Sequence, residues 1–217
     1  MLKIRLSELT IKKIKNRKFK TFLPEFYELE KIVENNPWHT NDSVLNHTIS
    51  VLLELKQLLK KLNDRIKVYL GKKIDIYSKR ELLFLAALFH DIGKKETFEK
   101  EKDITKCLGH EKVGATKLKI ILSKFDLSKN EKEFIAKIVR NHGFIHEILN
   151  FPEKNLEKKL EEFKKRYSDI FLEVILLSIA DMLGSQLKNN KSKEFNFRMT
   201  FLNKVINDEF QCCLVYE

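Results

Sequence analysis

The chain has 217 residues, with 42 Lys and Arg against 31 Asp and Glu for a formal charge of +11, and is 43% hydrophobic and 34% charged. That balance suits one soluble globular domain with a sizeable core, and 16 Phe with abundant Leu and Ile exclude intrinsic disorder. Only 6 Gly and 3 Pro argue against a turn-rich all-β fold, while Cys107, Cys212 and Cys213, with no CxxC pair, exclude a disulfide framework and a zinc ribbon.

The start, MLKIRLSELTIKKIKNRKFK, is basic but broken by charges, unlike a secretory leader. The longest apolar run, near 170–180, is interrupted by Glu173 and too short to span a bilayer, so no membrane partner is expected and a reducing cytoplasm is the default. The positive charge suits phosphate binding. Yet lysine outnumbers arginine severalfold and sits mostly on polar helix faces, so compositional bias is the simpler reading and nucleic acid stays an open partner.

Nearly every segment reads as helix. A short helix is expected over 25–34 after Leu23-Pro24, then a loop over 36–42 (NPWHTND), with Asp42 or Ser43 capping the next helix. Val44, Val51, Leu55 and Leu58 recur at helical spacing, predicting a long amphipathic helix to about Lys61. After a polar connection, 81–91 is apolar almost all round and reads as a buried central helix ended near Gly93. A charged loop over 95–109 precedes a helix from about His110, and Asn130 with Glu133 resembles a capping box for the helix after it. Residues 155–167 read as a charged surface helix or lid, Ser168 as the cap of a second buried helix over 170–183, and 194–210 as one more helix. The expected architecture is all-α, a single helical bundle over 22–185 with a buried metal site, preceded by a basic extension (1–21) and followed by a C-terminal helix and tail (186–217). The tail CCLVYE suits packing on the core or on a second subunit, and the oligomeric state stays open.

Polar residues interrupt the apolar stripes where burial penalises them. His47 lies three residues after Val44 and four before Val51, and His142 follows Val139 and Ile138 at helical spacing. His90 and Asp91 end the run LLFLAALFHD, and Asp181 falls late in LLSIADMLGS. A lone histidine on an apolar face is commonly a satisfied core residue. Here each strongly apolar helix after residue 43 delivers a His or Asp inward, and imidazole with carboxylate donors suits borderline divalent metals held between facing helices.

His47, His90-Asp91 within LFHDIGK and Asp181 within IADMLGS resemble the signature of the HD-domain metal-dependent phosphohydrolases. The resemblance implies that these four residues ligate a divalent cation. It further implies that His110 (LGHEKVGA) and His142 (IVRNHGF) complete a second site with Asp91 bridging, as in dinuclear members; one or two ions of Mn, Fe, Ni, Co, Zn or Mg all stay open. FLPEFYEL, NPWHTNDSVLNHTISVLLEL, LFHDIGKKETF, GHEKVGA and IVRNH also look like the C-terminal HD segment of bacterial tRNA nucleotidyltransferases and poly(A) polymerase-like proteins. A polymerase head would need an Asp-x-Asp pair, which this chain lacks, so a stand-alone hydrolase is expected.

By the same resemblance Lys94 contacts phosphate and His39 reaches substrate from the loop above the site. From the chemistry of the site, Asp91 is also expected to orient the attacking water, and Asp181 to serve as general base where it is not fully committed to the metal. Arg140 and Asn141 either touch phosphate or lie on the helix surface. His146 and Glu111 either support ligands or are solvated, and Cys107 is a small apolar side chain. The expected substrate is a nucleotide or an RNA-terminal phosphate, such as a 2′-nucleotide or a 2′,3′-cyclic phosphate. The alternatives are a non-catalytic RNA- or tRNA-binding module and a hydrolase of signalling nucleotides, the latter weakened by the lack of a GYP triplet.

Overall fold

A computed structural model describes residues 3–212. The chain opens with a helical turn at Leu6–Glu8, α1 (Ile11–Lys15) and α2 (Pro24–Tyr27), then forms the hairpin β1 (Val33–Asn36) and β2 (His39–Ser43). Next come α3 (Val44–Lys61), α4 (Asp64–Gly71), α5 (Lys79–Phe89) and α6 (Lys94–Thr97), then a second hairpin, β3 (Glu99–Glu101) and β4 (Ile104–Lys106). The remainder is helical: α7 (His110–Ile121), α8 (Lys129–Asn141), α9 (Phe144–Ile148), α10 (Glu153–Arg166), α11 (Phe171–Gly184), α12 (Leu187–Asn190) and α13 (Ser192–Phe210). The fold is therefore all-α with two short hairpins. No described helix is long and apolar enough to cross a membrane.

Two helices form the axis. α5 starts at a capping box, Ser78 with Glu81, and buries Leu82, Leu83, Leu85, Ala86, Ala87, Leu88 and Phe89, with Phe84 half-buried among them. α11 buries nearly every residue from Phe171 to Met182 and lies along α3, whose Val51, Leu52 and Leu55 are fully buried. Close approach needs glycine at two places. A Cβ on Gly184 would lie 2.7 Å from Val51 N and 2.9 Å from its Cγ2, and one on Gly93 would strike the His110 carbonyl and sit 2.6 Å from Gly114 N. Gly184 thus sets the spacing of α11 and α3, and Gly93 seats the turn after α5 on the start of α7.

Residues 3–20 contribute to this core. Ile4, Leu6, Leu9, Ile14 and Phe19 are buried, while Lys12, Lys13 and Lys15 face solvent. Ile4 N donates to Lys124 O (2.9 Å), Asp126 N to Ile4 O (3.2 Å), and the Tyr27 hydroxyl to Ile14 O (3.0 Å). At the other end Cys212 is buried and its sulfur accepts from Asn63 N (3.4 Å). The rest of the tail CCLVYE, residues 213–217, lies outside the described residues.

Several local expectations change. The helix expected over 25–34 ends early, because Ile32 and Val33 turn extended and Val33–Asn36 pairs antiparallel with His39–Ser43, Val33 opposite Ser43. The NPWHTND loop is therefore the turn and second strand of a hairpin, closed by Asn36 Oδ1, which accepts from Trp38 N (2.9 Å) and His39 N (3.1 Å). Ser43 caps α3 as one of the two expected residues. The polar connection contains α4, capped by Asn63. The 95–109 loop folds into α6 and the β3–β4 hairpin, fastened to β1 by Asn35 N donating to Thr105 Oγ1 (2.8 Å) and Asn35 Nδ2 to Asp103 O (2.7 Å).

The α8 capping box is Ser128 with Glu131 rather than Asn130 with Glu133. Glu131 prevails because its buried carboxylate also accepts from Ile76 N (2.7 Å) and Tyr77 N (2.6 Å), which Glu133 cannot reach from the exposed face. Ser168 does not cap α11; Ile170 holds that position without a side-chain bond, and buried Glu173 in the first turn pairs with Lys79 Nζ at 3.1 Å.

Gly184→Ala is expected to cost about 1–3 kcal/mol of unfolding free energy, the usual range for overpacking against atoms that cannot yield. Gly71→Ala, where a Cβ meets nothing within 4 Å, should be neutral or slightly stabilising. Urea unfolding of the two variants beside the parent checks the contrast.

Candidate metal centre

The HD pair sits in the turn that closes α5. His90 is the C-cap and Asp91 comes directly after it, both buried where four elements meet: α3 brings His47, α7 brings His110, the end of α8 brings His142, and α11 brings Asp181. Asp91 faces two ways. Its Oδ2 lies 3.2 Å from His90 Nε2 and 3.6 Å from His47 Nε2, while its Oδ1 lies 3.2 Å from His110 Nε2 and 3.8 Å from His142 Nε2. Asp181 Oδ1 adds contacts to His47 Nε2 at 2.8 Å and His90 Nε2 at 3.8 Å. Two triads therefore share Asp91, His47–His90–Asp91 and Asp91–His110–His142, each offering ligand atoms mutually within 4.8 Å.

The outward nitrogens explain the orientation. His90 Nδ1 meets Ala87 O at 2.8 Å, His142 Nδ1 meets Val139 O at 2.7 Å, His110 Nδ1 meets Cys107 O at 2.7 Å, and His47 Nδ1 approaches Gly184 O at 3.4 Å. A carbonyl only accepts, so each Nδ1 carries the proton and donates it. In its neutral form each ring then presents an Nε2 lone pair inward. Four imidazole nitrogens and two carboxylates thus converge. Two of the converging atoms, His90 Nε2 and Asp91 Oδ2, are buried without a hydrogen-bond partner, Asp91 Oδ2 being met only by the ion pair with Lys94 Nζ at 2.9 Å. The nitrogen and oxygen donors, the shared carboxylate and the orphaned atoms fit a divalent cation.

Electrostatics carry the same message. Burial pushes the Asp91 and Asp181 carboxyls up, but the cationic and hydrogen-bonding neighbours prevail and hold both well below the usual carboxylate range. Burial would lower His90, yet Asp91 and Asp181 raise it to about 10, so without a metal a proton serves as the positive charge in the cage. His142 is pushed down to about 3 by burial and by His110 and His90, which keeps it neutral. Lys94 is buried, which lowers its pKa, but Asp91 and Glu34 outweigh burial and keep it protonated.

All 6 histidines of the chain gather here. His146 Nε2 bonds Asp181 Oδ2 at 3.1 Å, and the His39 ring stands 4.4 Å from that of His47, its pKa pushed to about 2 by burial and by positive charge on His47 and Lys94. Lys94 Nζ spans Asp91 Oδ2 (2.9 Å) and Glu34 Oε2 (2.8 Å). Above the centre opens a cavity of about 790 Å³ with Asp91, Lys94, His110, His142 and Asp181 at its floor.

Thus the six residues expected as ligands, His47, His90, Asp91, His110, His142 and Asp181, come together, and Lys94 and His39 join them. Arg140 does not: it is exposed on α8 and does not line the cavity, while neighbouring Asn141 is buried and bonds back to Lys137 O at 2.7 Å. Glu111 lies beside His110, its Oε2 3.7 Å from Nδ1. Cys107 lines the cavity half-buried, its thiol pushed up to about 12 by burial and Glu34.

Sequence reasoning missed Glu34, Trp38 and Arg198. Glu34 and Trp38 sit in a hairpin without helical period and gave no signal. Arg198 interrupts the inward stripe Phe195, Met199 and Leu202 of α13 and was open to detection.

Residues 44–184 match the family model of the HD domain. Among curated proteins, the bifunctional uridylyltransferase/uridylyl-removing enzyme of Hydrogenovibrio crunogenus is 29% identical over 121 residues, covering 56% of this chain and 12% of the relative. The protein of the same name from Azotobacter vinelandii is 24% identical over 164 residues, covering 74% of this chain and 17% of the relative. The chain therefore spans less than a fifth of the length of these relatives. The family match covers more than half of the chain and runs from the first residue of α3 to the last of α11, the two helices that carry His47 and Asp181, so the chain belongs to the HD-domain family of metal-dependent phosphohydrolases.

Proposed function

We propose that this phosphohydrolase acts on a nucleotide or an RNA-terminal phosphate, with 2′-nucleotides and 2′,3′-cyclic phosphates as the first substrates to try. The observation that carries the reading is the two-faced Asp91, ringed by imidazoles whose Nδ1 atoms meet backbone carbonyls, at the floor of a cavity much larger than a phosphate. At about 790 Å³ it falls within the roughly 300–1,000 Å³ of small-molecule sites. Two further likenesses support a nucleotide. The relatives are named for removing a uridylyl group, and the sequence motifs resemble the HD segment of tRNA nucleotidyltransferases.

In this reading His47, His90, Asp91 and Asp181 hold one divalent ion, and Asp91, His110 and His142 hold a second. Bound there, divalent cations supply Lewis acidity toward phosphoryl oxygens and acidify water. The chain's own groups do the rest. Lys94 Nζ, kept charged between Asp91 and Glu34, neutralises the non-bridging oxygens of the phosphate. His39, held neutral, meets substrate from the cavity wall. His146 fixes Asp181 through Oδ2, leaving Oδ1 turned to the centre as the oxygen that would hold the ion.

Purified protein supplied with Mn²⁺ is expected to hydrolyse bis-p-nitrophenyl phosphate, 2′-AMP or 2′,3′-cyclic AMP, to lose that turnover to a chelator, and to lose at least about a hundredfold as Asp91→Ala or His90→Ala. Equal rates in parent and variants, or no turnover with any divalent metal, would overturn the assignment. His146→Ala should cost roughly 10–100-fold in activity or metal affinity, the usual penalty for removing a residue that orients a ligand, as read by metal-dependent rate curves.

A further inference from the structure

Part of the cavity wall comes from outside the HD segment. Trp38 lines it from the β1–β2 turn and Arg198 lines it from α13, and both residues lie outside the 44–184 match. The Arg198 guanidinium lies over the Trp38 indole at 5.5 Å from the ring centre, and the His146 ring meets the indole edge-on at 4.8 Å between centres. His146 is also the residue that bonds Asp181 at 3.1 Å, so one imidazole separates the indole from the metal-facing carboxylates.

The indole is held in place. Gln186 N donates to Trp38 O at 2.9 Å, and Asn190 Nδ2 donates to Pro37 O at 3.2 Å and to Thr40 Oγ1 at 2.9 Å. These bonds tie the hairpin turn to the segment leading into α13. Arg198 is itself buried, which is costly for a guanidinium unless its donors are used. Its Nε bonds Glu194 Oε1 at 2.9 Å, its Nη1 bonds His146 O at 3.2 Å, and its Nη2 bonds Asn150 Oδ1. With those donors engaged, Arg198 serves to support the indole. The supported ring remains only partly buried and borders the cavity.

We propose that Trp38 is the platform on which the nucleobase of the substrate stacks while its phosphate lies at the Asp91 floor. The proposal rests on the nucleotide reading above and assigns the base-recognising wall to the segments flanking the HD domain. Stacking of a base on an aromatic side chain contributes about 1–3 kcal/mol and tolerates any base, so affinity for the base as a class is expected, with little discrimination among bases. The same chemistry is presented by a free mononucleotide and by the terminal nucleotide of an RNA.

Trp38 is the single tryptophan of the chain, so its fluorescence reports on the site directly. Metal-loaded protein titrated with AMP, with UMP or with a short oligoribonucleotide should show saturable quenching, and none with ribose 5-phosphate or inorganic phosphate at equal concentration. Saturation by mononucleotides identifies the free nucleotide as sufficient; saturation by the oligoribonucleotide alone identifies the RNA end, and both support the platform. No change with any nucleotide, or the same change with ribose 5-phosphate, overturns it. In kinetics, Trp38→Leu should lower the ratio of nucleotide to p-nitrophenyl phosphate kcat/KM at least tenfold, and Trp38→Phe should keep most of it. An equal loss on both substrates, or an equal ratio in the Leu and Phe variants, also overturns the platform. Quenching without hydrolysis supports the platform while counting against hydrolysis of that nucleotide, so the two readings fail separately.

Discussion

Four imidazole-to-carbonyl contacts underlie the whole site. By donating hydrogen bonds from Nδ1 to the Ala87, Val139, Cys107 and Gly184 carbonyls, His90, His142, His110 and His47 all turn their Nε2 atoms toward one buried aspartate. Three of those carbonyls lie three residues before their histidine, at helix ends or in the turn before α7, where backbone acceptors lack intrahelical partners. Helix termination and ligand orientation are thus one event. The cage has a surplus of acceptors that a cation satisfies and that packing alone does not.

The spacing of that cage depends on glycines and on the core behind it. Gly184 lets α11 press on α3 at Val51, four residues beyond His47, and Gly93 lets the HD turn rest on the start of α7 beside His110. A side chain at either place would move one ligand-bearing element against another. Interiors this dense transmit such shifts rather than absorb them. Residues 3–20 and α13 add to the core, and Trp38 and Arg198 line the cavity, so the flanks of the HD segment serve both the core and the cavity wall.

The converging residues were legible because they break a pattern. His47, His142 and the His90-Asp91 pair occupy positions where helical spacing demands an apolar side chain, and a polar residue there has to be satisfied inside. α3 was readable to its ends, since Ser43 caps it and its apolar stripe recurs on both sides of His47. The hairpins were not readable: β1 and β2 alternate poorly, carry Asn-rich polar segments, and are held by Asn36 and Asn35 side chains that no period announces. Glu34 and Trp38 were hidden with them. Glu131 displaced Glu133 as the capping partner through contacts to Ile76 and Tyr77, far away in sequence and invisible to a local motif.

The central claim is that Asp91 lies between metal ions. Crystals of metal-stripped protein soaked in Mn²⁺, with anomalous difference maps, test it most directly. The account predicts peaks on both sides of the Asp91 carboxylate, one among His47, His90 and Asp181 and one toward His110 and His142, each within about 2.3 Å of its donors. Maps without density beside Asp91 at saturating Mn²⁺, or with manganese bound only elsewhere on the molecule, would contradict it.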